Sequence, residues 1–349
     1  MPETEPIVIS ASAGGQVFRT AIGLSALLQK PVRIEHIRAN RPNPGLQPQH
    51  VTTLKTLQQL CNARVFGDRI GSFSVSFFPQ KPVNSQLVCN IGTAGSTGLL
   101  LQSAFFPSLI AENHLRVSGG TNVSFAPPIE FLQFVLLPEL KKMGCKFELL
   151  LNAHGFFPKG NGSVSFSSKP AKLPLKPLYL AEFGELKEIE LFSSCASLPK
   201  EVAERQCRSA KKALSELKTD YVECLNVKEK SVSVGSSLVL LAKFSSGRIL
   251  SSAALGKKGL AAEEVGKTAA LELLKQIRIK KAVDTHLADQ LIPFLAIAKG
   301  KSTLEVSEID GHLLENIKVC EQLLPVHFEV SGKQGESGEV FVEGTGFKG

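Results

Sequence analysis

The pattern that most limits the fold is a small-residue loop that opens an apolar helix and recurs along the chain. Ile7-Val8-Ile9 reads as a short buried strand. It leads through Ser10-Ala11-Ser12-Ala13-Gly14-Gly15-Gln16 into a helix with Val17, Ala21, Ile22, Leu24 and Leu27 on its apolar side. Gly92-Thr93-Ala94-Gly95-Ser96 precedes a second apolar helix, from Leu99 to Leu109. Ser118-Gly119-Gly120-Thr121 repeats the device, and Pro127-Pro128 then opens a helix from Ile129 to Met143 at a position proline tolerates. The irregular spacing excludes a fixed-period solenoid and predicts an α/β (α+β) fold built on a repeated strand–helix unit. Backbone N–H groups converge where such a loop enters a helix, so each junction suits an anion, although a Gly-Gly turn also serves as a plain connection.

The chain of 349 residues is long enough for two domains, and 43% hydrophobic with 21% charged residues is a globular composition. Forty Lys+Arg against 32 Asp+Glu give a net charge of +8, which suits an anionic partner. The cysteines (61, 89, 145, 195, 207, 224 and 320) are odd in number and lack zinc spacing, so free thiols in a reducing compartment are expected. The acidic start Met-Pro-Glu-Thr-Glu-Pro lacks a signal-peptide pattern. The longest apolar stretch, Gly98 to Ile110, is broken by Gln102, Ser103 and Pro107 and is too short to span a bilayer. A soluble, cytoplasmic protein with no membrane contact is the expectation, with the nucleus open to it in a eukaryotic cell.

From about Leu180 the texture changes. Ile189 and Leu191 alternate with Glu188 and Glu190, Lys200–Leu217 reads as a charged helix, Val232, Val234 and Leu238–Ala242 as hairpin strands, and Gly259–Ile279 as a basic helix. This reads as a small module placed inside the larger fold. Gly266-Lys267-Thr268 imitates the end of a P-loop, but six residues separate Gly259 from Gly266 where a Walker A motif has four, and the tripeptide lies inside a helical pattern.

Two stretches carry candidate chemistry. After a strand at Val32–Ile37, Arg38 and Arg41 flank a Pro/Gly-stiffened loop, and from Arg19 to Lys55 six cations face one acid, Glu35. Guanidinium forks suit phosphate, and on spacing alone a solvated loop suits them equally. In Glu308-Ile309-Asp310-Gly311-His312-Leu313-Leu314-Glu315-Asn316, a turn pair sets His312 at a helix start. There the dipole favours the neutral, nucleophilic imidazole; taken alone, a histidine is more often a packed or solvated side chain.

Taken together, eight blocks in order resemble the RNA 3′-terminal phosphate cyclase family: Gly-Gly-Gln-Val-Phe-Arg (14–19), Ile-Arg-Ala-Asn-Arg-Pro-Asn-Pro-Gly-Leu (37–46) with Gln49-His50, Gly-Thr-Ala-Gly-Ser (92–96), Ser-Gly-Gly-Thr (118–121), Ala-Pro-Pro (126–128), His-Gly-Phe-Phe-Pro (154–158), Leu-Ala-Asp-Gln (287–290) and Gly-His-Leu-Leu-Glu-Asn (311–316). The resemblance implies three βαβαββ-like units forming a large domain, residues 1–182 and 277–349, with a small α/β domain inserted at 183–276. It implies ATP and a divalent ion, Mg2+ or Mn2+, and RNA with a 3′-phosphate end as partner. The implied activity converts that end into a 2′,3′-cyclic phosphodiester through a His312–AMP intermediate.

By the same resemblance Arg19, Arg38 and Arg41 fall on functional arginines for the RNA or ATP phosphates, and Gln49 and Gln102 on polar site positions. Phe131 and Pro128 (or its neighbour Pro127) fall on the nucleotide-pocket wall, and Asp289 and Gln290 on the motif beside the histidine, where Asp289 would orient the His312 ring. Two departures stand out. The family's Gly-Glu-Gly-Gly-Gly-Gln is here Ala-Ser-Ala-Gly-Gly-Gln (11–16), so Ser12 replaces a glutamate that helps hold metal; and the aromatic residue before Leu-Ala-Asp-Gln is His286, which can still stack on adenine. The alternative is a catalytically silent cyclase-like factor in ribosomal RNA processing or assembly; retention of His312 favours the enzyme and Ser12 argues for the factor.

Overall fold

The computed structural model describes residues 5–12 and 14–349; the first four residues of the acidic start, and Ala13 of the first glycine loop, lie outside the described residues. The chain begins with β1 (Ile7–Ser10), α1 (Gly15–Leu28), β2 (Val32–Glu35), α2 (Pro48–Leu60), β3 (Arg64–Phe66) and β4 (Val75–Phe78). It continues with β5 (Ser85–Asn90), α3 (Thr97–Ala104), β6 (Asn113–Gly119), a helix α4 over 129–143, β7 (Lys146–Ala153) and β8 (Gly162–Lys169). These make two sheets of one strand order, β1-β2-β4-β3 and β5-β6-β8-β7. In each, the first two strands are parallel, joined over a helix, and the remaining pairs are antiparallel.

A third sheet has the corresponding order, but its chain is interrupted after the first strand. β9 (Tyr179–Leu180) is followed by β10 (Leu186–Ala196), α5 (Lys200–Ala213), β11 (Asp220–Lys228), β12 (Gly235–Phe244), β13 (Ile249–Leu255) and α6 (Ala262–Ile279). Only then come α7 (Thr285–Ile297), β14 (Lys299–Val306), α8 (Gly311–Leu323), β15 (Phe328–Ser331) and β16 (Gly338–Thr345), and β14 pairs back in parallel with β9. The interrupting segment forms its own sheet, β11-β10-β12-β13, over an apolar cluster of its own that includes Ile189, Leu191, Leu240, Val265 and Leu273. The mixed α/β class expected from the loop pattern is the one observed.

Helix α1 lies at the centre of the larger body. Every side chain from Val17 to Leu27 is buried because the helix packs against α2, α3 and α8 as well as its own sheet. Each fully buried Leu, Ile or Phe there contributes about 1.5–3 kcal/mol relative to exposure. Gly23 permits one close approach: a Cβ at that position would lie 2.5 Å from the Phe106 ring.

Prolines set the main departures from the expected helix lengths. The second helix stops at Ala104 and a separate 3-10 turn begins at Pro107, which has no N–H to continue the ladder. The helix over 129–143 is continuous but contains a π-helical turn at Leu132–Leu136, just ahead of Pro138. In the inserted segment the hairpin strand begins only at Gly235; Val232 and Val234 sit in an exposed loop, 65% and 54% accessible.

Asp284 joins the two bodies. One of its carboxylate oxygens accepts from Leu287 N (2.7 Å) and caps α7; the other accepts from Ser251 N (3.2 Å) and Ser251 Oγ (2.9 Å) of β13. Its removal would leave buried donors unpaired on both sides. Asp284→Ala is therefore expected to lower unfolding free energy by about 2–4 kcal/mol. Urea unfolding of variant and parent checks this, and a loss below 0.5 kcal/mol, roughly the scatter of surface changes, would contradict the capping role.

Candidate active site

Four helices bring their first turns together: α1 with Gln16 and Arg19, α2 with Gln49 and His50, α7 with His286, Asp289 and Gln290, and α8 with His312. Hydrogen bonds tie three of them side by side. Gln16 Nε2 donates to Asp289 Oδ2 (2.8 Å), Asn316 Nδ2 to the Asp289 carbonyl (2.7 Å), and Thr20 Oγ1 to Asn316 Oδ1 (2.8 Å). Gln102 of α3 joins through Gln290 Oε1 (2.7 Å), and Gln290 Nε2 donates to the His286 carbonyl (3.0 Å). Between Gln16, Arg19, Gln102 and Asn316 a cavity of about 30 Å³ remains, large enough for one water molecule.

His312 is the second residue of α8, whose N-terminus is capped by Asp310: Oδ1 accepts from Leu313 N at 2.8 Å. The turn pair read from the sequence is thus an aspartate cap followed by Gly311. Partial burial lowers the His312 pKa, and Arg19, Arg41 and His286 lower it further against the opposing pull of Asp310. The lowered pKa favours the neutral ring, the form that carries a lone pair.

The cationic side is built differently. The Arg19 guanidinium is 9% exposed and its Nε has no partner among the described residues. Burial pushes its pKa down to about 10, with Asp289 pulling it up and Arg38 pushing it down, so it remains charged at neutral pH. Arg38 takes a left-handed backbone (φ 55°), and its Nη2 donates to the Asn43 carbonyl (2.9 Å). Arg41 lies with its guanidinium by Gly14, where a Cβ would come within 3.2 Å of Nη2. The three arginines predicted from the sequence are therefore grouped at the N-terminus of α1.

Asp289 does not bond to the His312 ring. Its Oδ2 is taken by Gln16, its Oδ1 is buried without a partner among the described residues, and burial together with Asp310 raises its pKa well above the usual carboxylate range. Gln49 uses its Oε1 to accept from Ser96 N (2.9 Å), which fixes the start of α3. Pro127, Pro128, Phe131 and His286 line a cleft of about 360 Å³ between the larger body and the inserted sheet. The Phe131 and His286 rings meet edge to face, centroids 6.2 Å apart. Its walls are mixed, with Phe131, Pro127, Pro128 and Val239 alongside polar groups such as Asn122, Ser251 and Gln276.

The family model for RNA 3′-terminal phosphate cyclase matches residues 11–330. The chain belongs to the RNA 3′-terminal phosphate cyclase family. A protein of that name from Pyrococcus furiosus is 44% identical over 343 residues, covering 96% of this chain and 98% of its own. Another from Methanopyrus kandleri is 40% identical (95% and 96% covered), and one from Desulfurococcus amylolyticus 38% (96% of both).

By the cyclase resemblance Ser12 stands in place of a glutamate. Among the described residues no three His, Cys, Asp or Glu side chains come together as a metal site. A serine hydroxyl is a poor ligand for a hard divalent ion, so the described residues do not form a ligand set for a resident metal. Neither does any helix among the described residues have the length and apolarity to cross a membrane.

Residue-type reasoning did not single out Gln16, Thr20 or Asn316, which knit the helices together; polar side chains at buried helix positions, three or four residues apart along α1, are the signal that was present. Gly15 has a different purpose from the one the glycine loop suggested. A Cβ there would fall 2.4 Å from His50 Nε2 and 2.9 Å from Arg19 Nη1. Gly15→Ala is expected to displace both side chains and lower cyclase kcat/KM by at least about tenfold, equivalent to ~1.4 kcal/mol, with the fold retained by circular dichroism. Unchanged kinetics would show that the close approach has no functional weight.

Proposed function

We propose that this protein uses ATP to convert RNA 3′-phosphate ends into 2′,3′-cyclic phosphodiesters, with His312 as the nucleophile. The observation that carries the reading is a neutral imidazole at a helix N-terminus, facing a group of arginines and lying beside a cleft of nucleoside size. Adenine would enter the cleft between Pro128, Phe131 and His286, and the phosphates would extend toward Arg19, Arg38 and Arg41. Gln102 and Gln290 hold the His286 end of α7 in register with this cleft.

The lone pair of His312 attacks the α-phosphorus of ATP; the P–N bond forms as the α–β P–O bond breaks and pyrophosphate leaves. An oxygen of the RNA 3′-phosphate then attacks the same phosphorus, the P–N bond breaks, and the histidine is released neutral. In the last step the 2′-hydroxyl attacks the 3′-phosphorus, loses its proton, and AMP departs. Adenylylation gives the phosphate monoester a leaving group it lacks on its own. Negative charge accumulating on the phosphoryl oxygens is met by fixed cations in a partly dry site, where reorganisation is small. Mg2+ or Mn2+ enters this proposal only as a counter-ion of the triphosphate, and no step is routed through it.

Incubation with α-labelled ATP is expected to leave an acid-labile, alkali-stable label on the protein, and none on His312→Ala. Absence of label on the parent would overturn the histidine mechanism and favour the second reading, whereas full label on the variant would overturn His312 as the nucleophile alone. That reading, a cyclase-like factor in ribosomal RNA processing without transfer chemistry, is supported by Ser12 and by the lack of a metal ligand set.

The His312 pKa lies below its ordinary value of 6.5, so protonation removes the nucleophile only in acid. The adenylylation rate is expected to be flat above about pH 7 and to fall below about pH 6. A rate still rising between pH 7 and 9 would contradict the assignment. Asp289 acts as a positioning residue through its carboxylate, which accepts from Gln16 Nε2. Asp289→Ala is expected to slow adenylylation by about ten- to a hundredfold, with Asp289→Asn retaining more activity; an unchanged rate in the alanine variant would remove the role.

A further inference from the structure

His50 is 2% exposed, yet the cyclase chemistry above makes no use of it. It is the third residue of α2, and its Nδ1 accepts a hydrogen bond from Gln47 N at 3.1 Å. A ring nitrogen that accepts from a backbone N–H carries no proton itself, so in the neutral ring the proton is on Nε2. Burial, with Arg19 and Arg38 alongside, lowers the pKa to about 3, so the ring stays in this one neutral tautomer throughout the working range. The edge of the ring meets Phe18, centroids 5.7 Å apart and planes at 88°, which fixes its orientation.

The Nε2 end of this locked ring is placed with equal care. It comes within 2.4 Å of the position a Cβ would take at Gly15, the first residue of α1, and Arg19 Nη1 lies 2.9 Å from the same point. Nε2 has no acceptor among the described residues, and the Nε of Arg19 and of Arg38 are buried without partners as well. Unpaired buried donors are costly. The two arginine Nε groups, with the unpartnered Nε2 of His50 beside Arg19, suit a ligand rich in acceptor oxygens.

The geometry points to His50 as an uncharged hydrogen-bond donor to a phosphate oxygen in the arginine site, held in the donating tautomer by the Gln47 backbone. Its value lies in being neutral. A further cation beside Arg19 and Arg38 would repel both, whereas an N–H dipole supplies direction without adding charge. The inference rests on the phosphate-binding role of the arginines. The phosphate is either that of the RNA end or one from ATP, and the two halves of the reaction separate these sources.

The test uses two substitutions that divide the ring. His50→Asn keeps an acceptor near Nδ1 and loses the reach of Nε2; His50→Gln places an amide N–H near Nε2. Adenylylation from ATP alone and single-turnover transfer of AMP to RNA 3′-phosphate are measured for each. The Asn variant is expected to lose about ten- to a hundredfold in one of these steps, the loss carried by one hydrogen bond to a charged group, and the Gln variant to stay within about fivefold of the parent. Loss in the first step assigns His50 to ATP, and loss in the second to the RNA end. Rescue by Asn and failure of Gln would mean that His50 only caps α2, and would overturn the proposal.

Nitrogen NMR of the parent protein gives a second measurement that does not depend on the variants folding. The His50 ring should show a bare Nδ1 and a protonated Nε2 from pH 5.5 to 8, and the Nε2–H signal should move when inorganic pyrophosphate or phosphate is added. The reverse tautomer, or a signal indifferent to both anions, would overturn the assignment. If the parent shows this response but does not cyclise RNA, the catalytic reading fails while the donor role stands.

Discussion

The site depends on keeping a charged guanidinium inside the protein without a salt bridge to neutralise it. Arg19 sits one turn into the most buried helix of the chain, with Nε unpaired and the carboxylate of Asp289 turned to Gln16 instead of to it. Burying a cation costs several kcal/mol unless a partner compensates. The nearby carboxylate compensates through space only: it raises the Arg19 pKa against burial, and its own pKa is raised by burial and by Asp310. A direct Arg19–Asp289 bond would satisfy both groups and leave the fork less available to phosphate. Gln16 takes Oδ2 of Asp289 and turns the carboxylate away from that closure, so the Arg19 fork keeps donors free for an anion.

That arrangement explains why four helix N-termini meet at one place. α1, α2, α7 and α8 come from the first and third sheet units, and each presents unpaired N–H groups and positive dipole charge at its start. Capping by Asp284 and Asp310 settles α7 and α8, while α1 begins at Gly15 with no side-chain cap. The uncapped helix is the one flanked by the arginines. The same positive environment depresses the basicity of both histidines, His50 by burial and Arg19, and His312 by burial, Arg19 and Arg41. One histidine is thereby left as a lone-pair donor and the other as an N–H donor, and the difference between them comes from a single backbone hydrogen bond.

Much of this was legible in the chain. Asp310-Gly311-His312 ahead of a helical apolar pattern placed His312 at a cap, because capping is local chemistry written within four residues. The arginines and the glycine loops were visible for the same reason. What escaped depends on contacts across hundreds of positions. Nothing near Asp289 says that its carboxylate belongs to Gln16 rather than His312, since Gln16 of α1 and Asp289 of α7 are brought together only in the folded chain. The reason for Gly15 was also out of reach: a glycine kept for backbone freedom and one kept to make room for His50 look identical in sequence. In the fold, β9 was invisible because two residues carry no periodicity, and its identity as a sheet member comes entirely from β14, which follows more than a hundred residues later.

Ser12 bears on the chemistry through this electrostatic layout. A glutamate there would bring another negative charge toward a site that already contains Asp289, Asp310 and Asp284, whose mutual repulsion is relieved by protonation or by a cation. With serine in that place the local excess shifts toward Arg19, Arg38 and Arg41, and in the proposed chemistry a phosphate would be held by fixed protein charge to a greater degree. In that scheme fixed charges need no metal to arrive first, but they would not follow a phosphorus as it moves from ATP to histidine to RNA. The neutral donor at His50 and the side-chain network through Gln16, Asp289 and Asn316 then matter more than they would around a mobile ion, because orientation of the reacting groups rests on the rigidity of three helix ends.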